Sequence, residues 1–263
     1  MIKFCSLLSG SSGNCIFVRC GNTRILIDSG VSAKRICQAL SSINEDPHEI
    51  DALLVTHEHI DHTRGVGIMS RKFGIPVYAN ENTWQAIGKS IGEIDIKNIR
   101  MFETGEYFDV GDINVKSFPV PHDAAEPVGF NFFCGNRKIC IATDIGHMNR
   151  SLVYEIEKSD IVLIESNHDV EMLKVGPYPW HLKMRILGQN GHLCNEMAGK
   201  TVSYLAEKGT SYFVLGHLSK ENNFPELAYQ TSYNALTEKN IIPGKDVSLS
   251  VALRDRTGEV ITL

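Results

Sequence analysis

The sequence has no CxxC pair among its seven cysteines, and no apolar run long enough to cross a membrane. Several cysteines lie inside apolar runs, such as Cys140 in KICIAT, which is typical of small buried side chains in a reducing compartment. A thiolate ligand or nucleophile is the alternative. The opening residues MIKFCSLLSG lack the long apolar core of a signal peptide. We therefore expect a cytoplasmic protein without membrane association.

The sequence also has no excess of positive charge. It contains 26 lysines and arginines and 31 aspartates and glutamates, which gives a formal net charge of −5. No global positive field would draw the chain to nucleic acid, so that role would require a local basic patch or bound metal ions. Linkers, repeats and low-complexity tracts are absent, and we expect one domain over residues 1–263. A domain of this length can bury a core without metal, so a bound metal would serve chemistry.

Short apolar runs and turn compositions give the order of elements. The first three strand-like runs are separated by SGSSGN and GN, which predicts an antiparallel meander. Ile36, Leu40 and Ile43 have helical spacing, and residues 61–73 are also expected to form a helix. Strand runs fill the middle of the chain, and helices alternate with strands after Asn149. This order predicts an α/β (α+β) domain of two sheets with helices outside.

The densest polar cluster is HEHIDH, which places three histidines and two carboxylates within residues 57–62. Imidazole and carboxylate together suit zinc, manganese or iron. The alternate spacing of His57 and His59 lets both rings point the same way from an extended backbone. Asp61 and His62 would follow from the start of a helix, where Asp61 could also act as a cap. The cluster predicts a metal site, with a solvated polar loop as the alternative.

Four apolar runs are each followed by a possible metal ligand. DALLVT precedes His57, INVKSFPVP precedes His122, KICIAT precedes Asp144 and SYFVLG precedes His217. Ligands gather at strand ends in layered α/β folds, because rigid strands aim their side chains into a common crevice. One such residue would be weak evidence, but four residues of suitable chemistry predict a shared site.

Together the cluster and the strand ends give seven candidate ligands: His57, His59, Asp61, His62, His122, Asp144 and His217. Seven ligands are too many for one four-coordinate metal. They suit two metals about 3.5–4 Å apart with one carboxylate bridging them, an arrangement that activates water to hydroxide and neutralises charge on substrate oxygens. We therefore expect a hydrolase with two divalent ions, either zinc or manganese, with iron as a further option.

The sequence resembles a known family at these residues. HEHIDH is the HxHxDH signature of metallo-β-lactamase-fold hydrolases, and His122, Asp144 and His217 follow in the order that this superfamily uses. Stretches along nearly the whole chain resemble its YycJ/WalJ branch, also called VicX: SLLSGSSGN, LIDSGVS, PVPHDAAEPVGF, ATDIGH, ESNHD, LKMRILGQNGHLCN and GHLSKENN. HxHxDH is specific to the superfamily, whereas SGSSGN, ESNHD and GHLSKENN are more specific to the branch.

The resemblance implies a fold, a ligand assignment and an activity. The fold is a four-layer αββα sandwich of two mixed β-sheets. The seven ligands divide into His57, His59 and His122 for one metal, Asp61, His62 and His217 for the second, and Asp144 between the two. The implied activity is that of a nuclease, expected as 5′-to-3′ exonuclease action on DNA.

Two further polar residues have candidate roles near the metals. His168 follows the apolar run DIVLIES and is a candidate general acid for the leaving oxygen, since imidazole transfers protons near pH 7. A partner that orients a ligand, or a capping histidine, is the alternative for His168. Asp61 and His168 are thus the predicted catalytic residues. Asp28, at the end of TRILID, would orient a metal-bound histidine or serve as a turn residue.

A Gly-rich turn after the first strand run is the first of two segments that could contact substrate. Ser9, Ser11, Ser12 and Asn14 lie in this turn, whose backbone N–H groups could bind a phosphate. An ordinary surface loop is the alternative. We list Ser9, Ser11 and Asn14 as candidate substrate-binding residues.

The segment HLKMRILGQNGH is the second candidate substrate contact. Lys183 and Arg185, with His192 beyond them, could hold the phosphates of a nucleic-acid strand. The alternative is an ordinary solvated helix face. Met184 and Cys194 depart from the family pattern, since arginine and serine are expected at these positions in relatives.

Three classes of function fit these residues unequally. The leading one is a two-metal phosphodiesterase acting on nucleic acid, in which His168 or a water protonates the leaving group. The same centre could instead hydrolyse a small ester, thioester or lactone. The intact ligand set argues against a non-enzymatic metal-binding or regulatory protein. Asp144 argues against β-lactamase action, because many β-lactamases have a cysteine at that position. The residues fit zinc or manganese, DNA or RNA as the substrate, and any oligomeric state.

Overall fold

The elements of the computed structural model, which describes residues 1–263, fall into two units that alternate along the chain. Unit 1 comprises Met1–Ser117, Ala124–Val128 and Ala252–Leu263, and unit 2 comprises Phe118–Asp123 and Gly129–Val251. The polypeptide therefore leaves and re-enters each unit. The expectation of one domain over residues 1–263 stays a prediction.

Unit 1 contains a seven-stranded sheet, four α-helices and two short 3-10 helices, Pro47–Glu49 and Ile96–Asn98. Its strands are β1 Ile2–Leu8, β2 Cys15–Cys20, β3 Thr23–Ile27, β4 Ala52–Leu54, β5 Val77–Ala79, β6 Ile99–Met101 and, near the end of the chain, β14 Ile261–Thr262. Its helices are α1 Ala33–Ser42, α2 Ile60–Thr63, α3 Val66–Phe73 and α4 Glu81–Ile87. Two further strands pair as a hairpin, β7 Tyr107–Val110 and β8 Ile113–Pro119, the latter ending in unit 2.

The sheet of unit 1 is mixed, in the order β14-β1-β2-β3-β4-β5-β6. Strands β1, β2 and β3 pair antiparallel, which confirms the predicted meander, and β3 to β6 pair in parallel. The GN turn is a two-residue hairpin loop, because Cys20 pairs with Thr23 and Gly21 has φ 57°. Helix α1 buries Ile36 and Leu40 against the core of this unit, as their spacing predicts.

The predicted helix over residues 61–73 is interrupted, since α2 and α3 are separated by Arg64 and Gly65. Gly65 N donates to Ser29 O at 2.6 Å, and a Cβ at Gly65 would overlap the carbonyl oxygen of Val31. The backbone of residues 29–31 therefore passes too close for a continuous helix. The expectation that Asp61 could cap the helix is also wrong, because α2 has His59 as its N-cap and Asp61 lies inside it.

Unit 2 contains five strands and five helices. Its strands are β9 Val128–Cys134, which begins at the last residue of a unit 1 segment, β10 Arg137–Ala142, β11 Ile161–Glu165, β12 Tyr212–Gly216 and β13 Ser248–Val251. Its helices are α5 Arg150–Ile156, α6 Val170–Val175, α7 Trp180–Ile186, α8 Asn195–Glu207 and α9 Pro225–Thr237. No helix of the chain is both long and apolar enough to cross a membrane.

The strands of unit 2 also form a mixed arrangement. Strands β9 and β10 pair antiparallel, whereas β10, β11, β12 and β13 pair in parallel, in that order. Parallel strands flanked by helices are buried on both faces, and β11 accordingly has no exposed residue. Because β10, β11 and β12 run the same way, the residues that follow them emerge at one edge of the sheet. The prediction of two mixed sheets with helices is confirmed.

Candidate metal centre

Asp28 in unit 1 fixes the backbone that carries the histidine cluster. Its carboxylate accepts hydrogen bonds from Thr56 N and Thr56 Oγ1, both at 2.9 Å, where the chain leaves β4. Asp28 is fully buried and has φ 60°, a left-handed conformation that Asp adopts more readily than most residues. The end of β3 and the end of β4 are therefore joined at the point where the HEHIDH segment begins.

The same carboxylate orients His62, whose ring is fully buried. His62 Nδ1 lies 2.7 Å from Asp28 Oδ2, which makes Nε2 the atom that can bind a metal. His57 Nδ1 lies 3.0 Å from Thr56 Oγ1, which favours Nε2 of that ring in the same way. The His57 ring centroid is 4.2 Å from that of His62 and 4.6 Å from that of His59. Three imidazoles thus converge in unit 1, as the spacing predicts.

Asn14 from the Gly-rich turn ties this cluster to β1 and β2. Asn14 N donates to Asp61 O at 2.8 Å, and Asn14 Nδ2 lies 3.1 Å from His62 Nε2. Asn14 Oδ1 accepts from Gly10 N at 3.0 Å, and Ser9 Oγ lies 3.5 Å away. The turn therefore supports the Asp61–His62 backbone directly. Asn14 and Ser9 are buried and Ser11 is exposed, and a phosphate contact by this turn stays a prediction.

The backbone at Gly30 packs directly against the backbone of Asp61 and Asn14. Gly30 N donates to Asn14 O at 2.8 Å, and a Cβ at Gly30 would overlap the carbonyl oxygen of Asp61. We expect Gly30→Ala to lower the free energy of unfolding by about 1–3 kcal/mol, because the overlap forces backbone shifts. Urea titration of the metal-free protein measures this. Gly74→Ala is the control, where a Cβ meets nothing within 4 Å and only its φ of 71° is strained. Equal losses in both variants would contradict a special role for Gly30.

Unit 2 presents polar residues at the ends of consecutive parallel strands. Asp144 follows β10, Glu165 ends β11 and His217 follows β12. Asp144 has φ 58° and His217 has φ 54°, so both turn sharply as their strands end. Asp144 Oδ1 lies 3.3 Å from His217 Nδ1. The predicted convergence of strand-end ligands is therefore present within this unit for Asp144 and His217.

Glu165 is the hub of the unit 2 cluster, and sequence reasoning missed it. Glu165 Oε1 lies 2.8 Å from His192 Nδ1 and 2.9 Å from His217 Nδ1. Its Oε2 accepts from Ile145 N at 2.6 Å and Leu193 N at 3.2 Å. Burial raises the pKa of Glu165, but His192 and His217 outweigh burial and lower that pKa to about 2. One charged carboxylate thus holds two imidazoles by Nδ1 and leaves each Nε2 for other contacts.

His192 was a candidate phosphate contact, and the structure places it inside the cluster, beside Glu165. Burial lowers the pKa of His192, but the Glu165 carboxylate outweighs this effect and raises the pKa above its usual value. The His192 side chain is 21% exposed. Asp144, Glu165, His192 and His217 each offer a ligand atom within 4.8 Å of the others. A carboxylate at the end of the apolar run DIVLIE was the signal that could have identified Glu165.

His122 joins the same cluster from the end of β8. Its Nδ1 lies 3.0 Å from Gly191 O, and its Nε2 lies 3.7 Å from Asp144 Oδ1. Asp123 approaches the same Nε2 at 3.5 Å. Imidazole nitrogens turned toward carboxylates, with Nδ1 held by a backbone carbonyl, are the donor set that zinc, manganese and iron accept. The residues present therefore fit a divalent metal.

His168, the predicted general acid, is almost wholly buried. Its Nδ1 makes no hydrogen bond, and its backbone forms an isolated β-bridge with that of Cys194. Burial lowers the pKa of His168 to about 4. The imidazole is therefore neutral near pH 7 in the absence of substrate. Its role as general acid stays a prediction.

The buried neutral state of His168 predicts a pH dependence of stability. Since the folded pKa is depressed, protonation favours the unfolded chain, and stability is lost as pH falls from the unfolded value toward about 4. We expect protonation of His168 to lower the free energy of unfolding by about 2 kcal/mol when the pH falls from 7 to 5. Urea titrations with chelator measure it, and His168→Gln should show a loss smaller by that amount. The same loss in parent and variant would contradict the assignment.

The two predicted cationic contacts are both engaged within unit 2. Lys183 is buried, and its Nζ donates to Lys174 O at 2.7 Å, so a solvated helix face does not describe it. Arg185 Nε donates to Asp123 Oδ2, although half of the Arg185 side chain is exposed. Substrate binding by Lys183 and Arg185 stays a prediction.

Comparison with known proteins places these clusters in a family context. Residues 23–218 match the model described as the Beta-lactamase superfamily domain. The chain is 42% identical over 246 residues to exodeoxyribonuclease WalJ of Streptococcus pneumoniae, an alignment that covers 93% of this chain and 91% of the relative. It is 40% identical over 244 residues to exodeoxyribonuclease YycJ of Bacillus anthracis, covering 93% and 92% of the two chains.

Solved structures with low sequence identity share the fold. Zn²⁺-bound PqqB from Methylobacterium extorquens superposes with a TM-score of 0.70 at 17% identity and covers 100% of both chains. The metallo-β-lactamase fold protein YhfI from Bacillus subtilis superposes with a TM-score of 0.68 at 13% identity, covering 99% of this chain and 98% of YhfI. The predicted fold is thereby confirmed.

Proposed function

Because the chain belongs to the β-lactamase superfamily, we propose that it is a metal-dependent phosphodiesterase that degrades DNA from the 5′ end. The observation that carries this proposal is 40–42% identity, across nine-tenths of the chain, to relatives named exodeoxyribonucleases. The predicted branch of the family is confirmed by the same relatives. A location in the cytoplasm and 5′-to-3′ polarity are part of the proposal.

We propose the seven predicted residues as the ligands of two divalent ions, zinc or manganese. Each unit supports this assignment through its own contacts. In unit 1, His62 and His57 are held through Nδ1 by Asp28 and Thr56. In unit 2, His217 is held through Nδ1 by Glu165. Bound divalent ions would supply an activated water and would neutralise charge on the phosphate oxygens. The division of the ligands between two ions follows the family resemblance.

The chain's own residues supply the proton for the leaving oxygen. His192 suits this task better than the buried His168, because its side chain reaches solvent and Glu165 holds its Nδ1. The carboxylate stabilises the imidazolium and fixes the ring, which leaves Nε2 as the donor. We propose His192 as the proton donor, with Glu165 as the residue that positions it.

A nuclease assay tests the proposed function. End-labelled single-stranded DNA, double-stranded DNA and RNA are each incubated with the purified chain and manganese or zinc. Loss of label from the 5′ end, stopped by chelator, is the expected result, and metal analysis should give two ions per chain. His192→Asn should lower the rate by about 10²–10⁴-fold on an unactivated phosphodiester and much less on a nitrophenyl ester, whose leaving group needs no proton.

Two results would redirect the proposal. If the chain binds two metals but cleaves neither polymer, the substrate is not nucleic acid, and hydrolysis of a thioester under the same conditions would favour the small-ester alternative. If His168→Asn shows the larger, leaving-group-dependent loss and His192→Asn does not, the proton donor is His168.

A further inference from the structure

Helix α7 in unit 2 buries a lysine and exposes a tryptophan, the reverse of the usual distribution. Lys183 and Ile186 face inward and are each less than a tenth exposed. Trp180 is 72% exposed and Met184 is 49% exposed on the outer side. Burying the lysine costs desolvation of an ammonium group, and leaving the indole in water forgoes about 2–3 kcal/mol of burial. This distribution indicates that the outer face meets a partner.

The exposed apolar residues form one continuous stripe. Trp180, Met184 and Leu187 stand at positions i, i+4 and i+7, which lie above one another on a helix surface. We call these three residues the α7 stripe. It presents a flat aromatic ring at one end and flexible aliphatic side chains beyond it, a shape that suits planar apolar ligands.

The stripe is anchored beside the unit 2 metal cluster. His192 N donates to Ile186 O at 3.0 Å, and a Cβ at Gly191 would overlap the carbonyl oxygens of Arg185 and Ile186. Gly191 O in turn lies 3.0 Å from His122 Nδ1. The last turn of α7 is therefore packed against the backbone that positions His122 and His192. The C-terminal end of the stripe therefore lies beside the backbone segment that carries His192.

The charge of the segment favours a polyanion. Residues 170–187 contain two cations with exposed side chains, Lys174 and Arg185, and one carboxylate, Glu171, in a chain with a net charge of −5. The side chains of Lys174 and Arg185 are each about half exposed although they form ion pairs. A second copy of the chain is less suitable as a partner, since it would bring further negative charge.

We infer that the α7 stripe binds the bases of single-stranded DNA, with Trp180 as the stacking residue. Bases stack on exposed aromatic rings whatever their identity, and nearby cations bind the backbone phosphates. This inference rests on the proposed function and adds a contact that holds the strand being degraded. It does not depend on Lys183, whose ammonium is committed to Lys174 O.

Fluorescence anisotropy of labelled oligothymidylate, in chelator so that no cleavage occurs, tests the inference. Trp180→Ala should raise the Kd by about 5- to 150-fold, the worth of one stacked base, and Trp180→Phe should restore most of the affinity. Tyr154→Ala removes an aromatic side chain that is 76% exposed on α5, and it should leave the Kd unchanged. Hydrolysis of bis(p-nitrophenyl) phosphate with manganese should be equal in all four proteins.

Three other results would bear on the inference or on the proposed function. Equal Kd values for Trp180→Ala and Tyr154→Ala, or no binding of oligothymidylate by the parent, would overturn the inference. A parent dimer in analytical ultracentrifugation that Trp180→Ala converts to monomer, with the Kd unchanged, would identify the stripe as a self-association surface. If oligothymidylate binds as expected but no phosphodiester is cleaved with any metal, the proposed function fails and the inference stands.

Discussion

Asp144→Asn should abolish DNA cleavage, with a loss of at least about 10²–10³-fold, the range seen when one preorganised electrostatic group is removed. The change keeps the size of the side chain, and Asn tolerates the left-handed backbone at φ 58° as Asp does. What is lost is the negative charge 3.3 Å from His217 Nδ1, at the position proposed to bridge two metals. Cleavage rate and bound metal per chain, measured on the same preparation, give the result.

Asp169→Asn is the matched control for this change. Asp169 caps helix α6 by accepting from Met172 N at 2.8 Å, and Asn caps helices equally well. We expect activity and metal content of this variant to equal those of the parent. If Asp144→Asn retains both metals and full activity, Asp144 is not a ligand, and the proposed assignment is wrong at that position.

Glu165→Gln should weaken metal binding by about 10–100-fold and lower the free energy of unfolding by about 3–5 kcal/mol. The Gln side chain has one carbonyl oxygen that accepts hydrogen bonds and one NH₂ group that only donates. It therefore cannot accept from His192, His217 and two backbone N–H groups at once. Both imidazoles lose the charge that orients them. Isothermal titration with manganese and urea denaturation of the metal-free chain measure the two losses separately.

Glu171→Gln provides the comparison for Glu165→Gln. Glu171 is exposed and pairs only with Lys174 at 2.7 Å, so its loss should cost about 0–1 kcal/mol and leave metal affinity unchanged. An unchanged manganese affinity in Glu165→Gln, with reduced stability, would assign Glu165 to folding alone. Unchanged stability as well would contradict its place as the hub of the cluster.

The positions of the strand-end residues could be predicted because they depend on local pattern. Apolar runs such as KICIAT and SYFVLG mark parallel strands, and parallel strands deliver their following residues to one edge. Asp144 and His217 accordingly meet in unit 2. The helical spacing of Ile36 and Leu40 was equally informative, since a 3.6-residue period places both side chains on one buried face.

Other features depend on contacts that no local pattern records. Glu165 reads as part of an apolar strand, and only the meeting of three strand ends reveals that its charge serves His192 and His217. The break between α2 and α3 arises from Ser29, which is distant in sequence. The burial of Lys183 follows from a backbone carbonyl on α6. Tertiary contacts override helix and charge patterns in each case.

The pairing of β14 with β1 has a consequence for synthesis. Lys3 pairs with Thr262 and Phe4 with Ile261, so the sheet that carries Asp28 and the HEHIDH segment gains its edge strand only when residues 261–262 are made. All of residues 129–251 emerge from the ribosome before that strand does. One edge of β1 therefore stays unpaired until residues 261–262 have emerged. Such long sequence separation slows folding, so a chaperone that shields β1 would have its greatest effect on nascent chains.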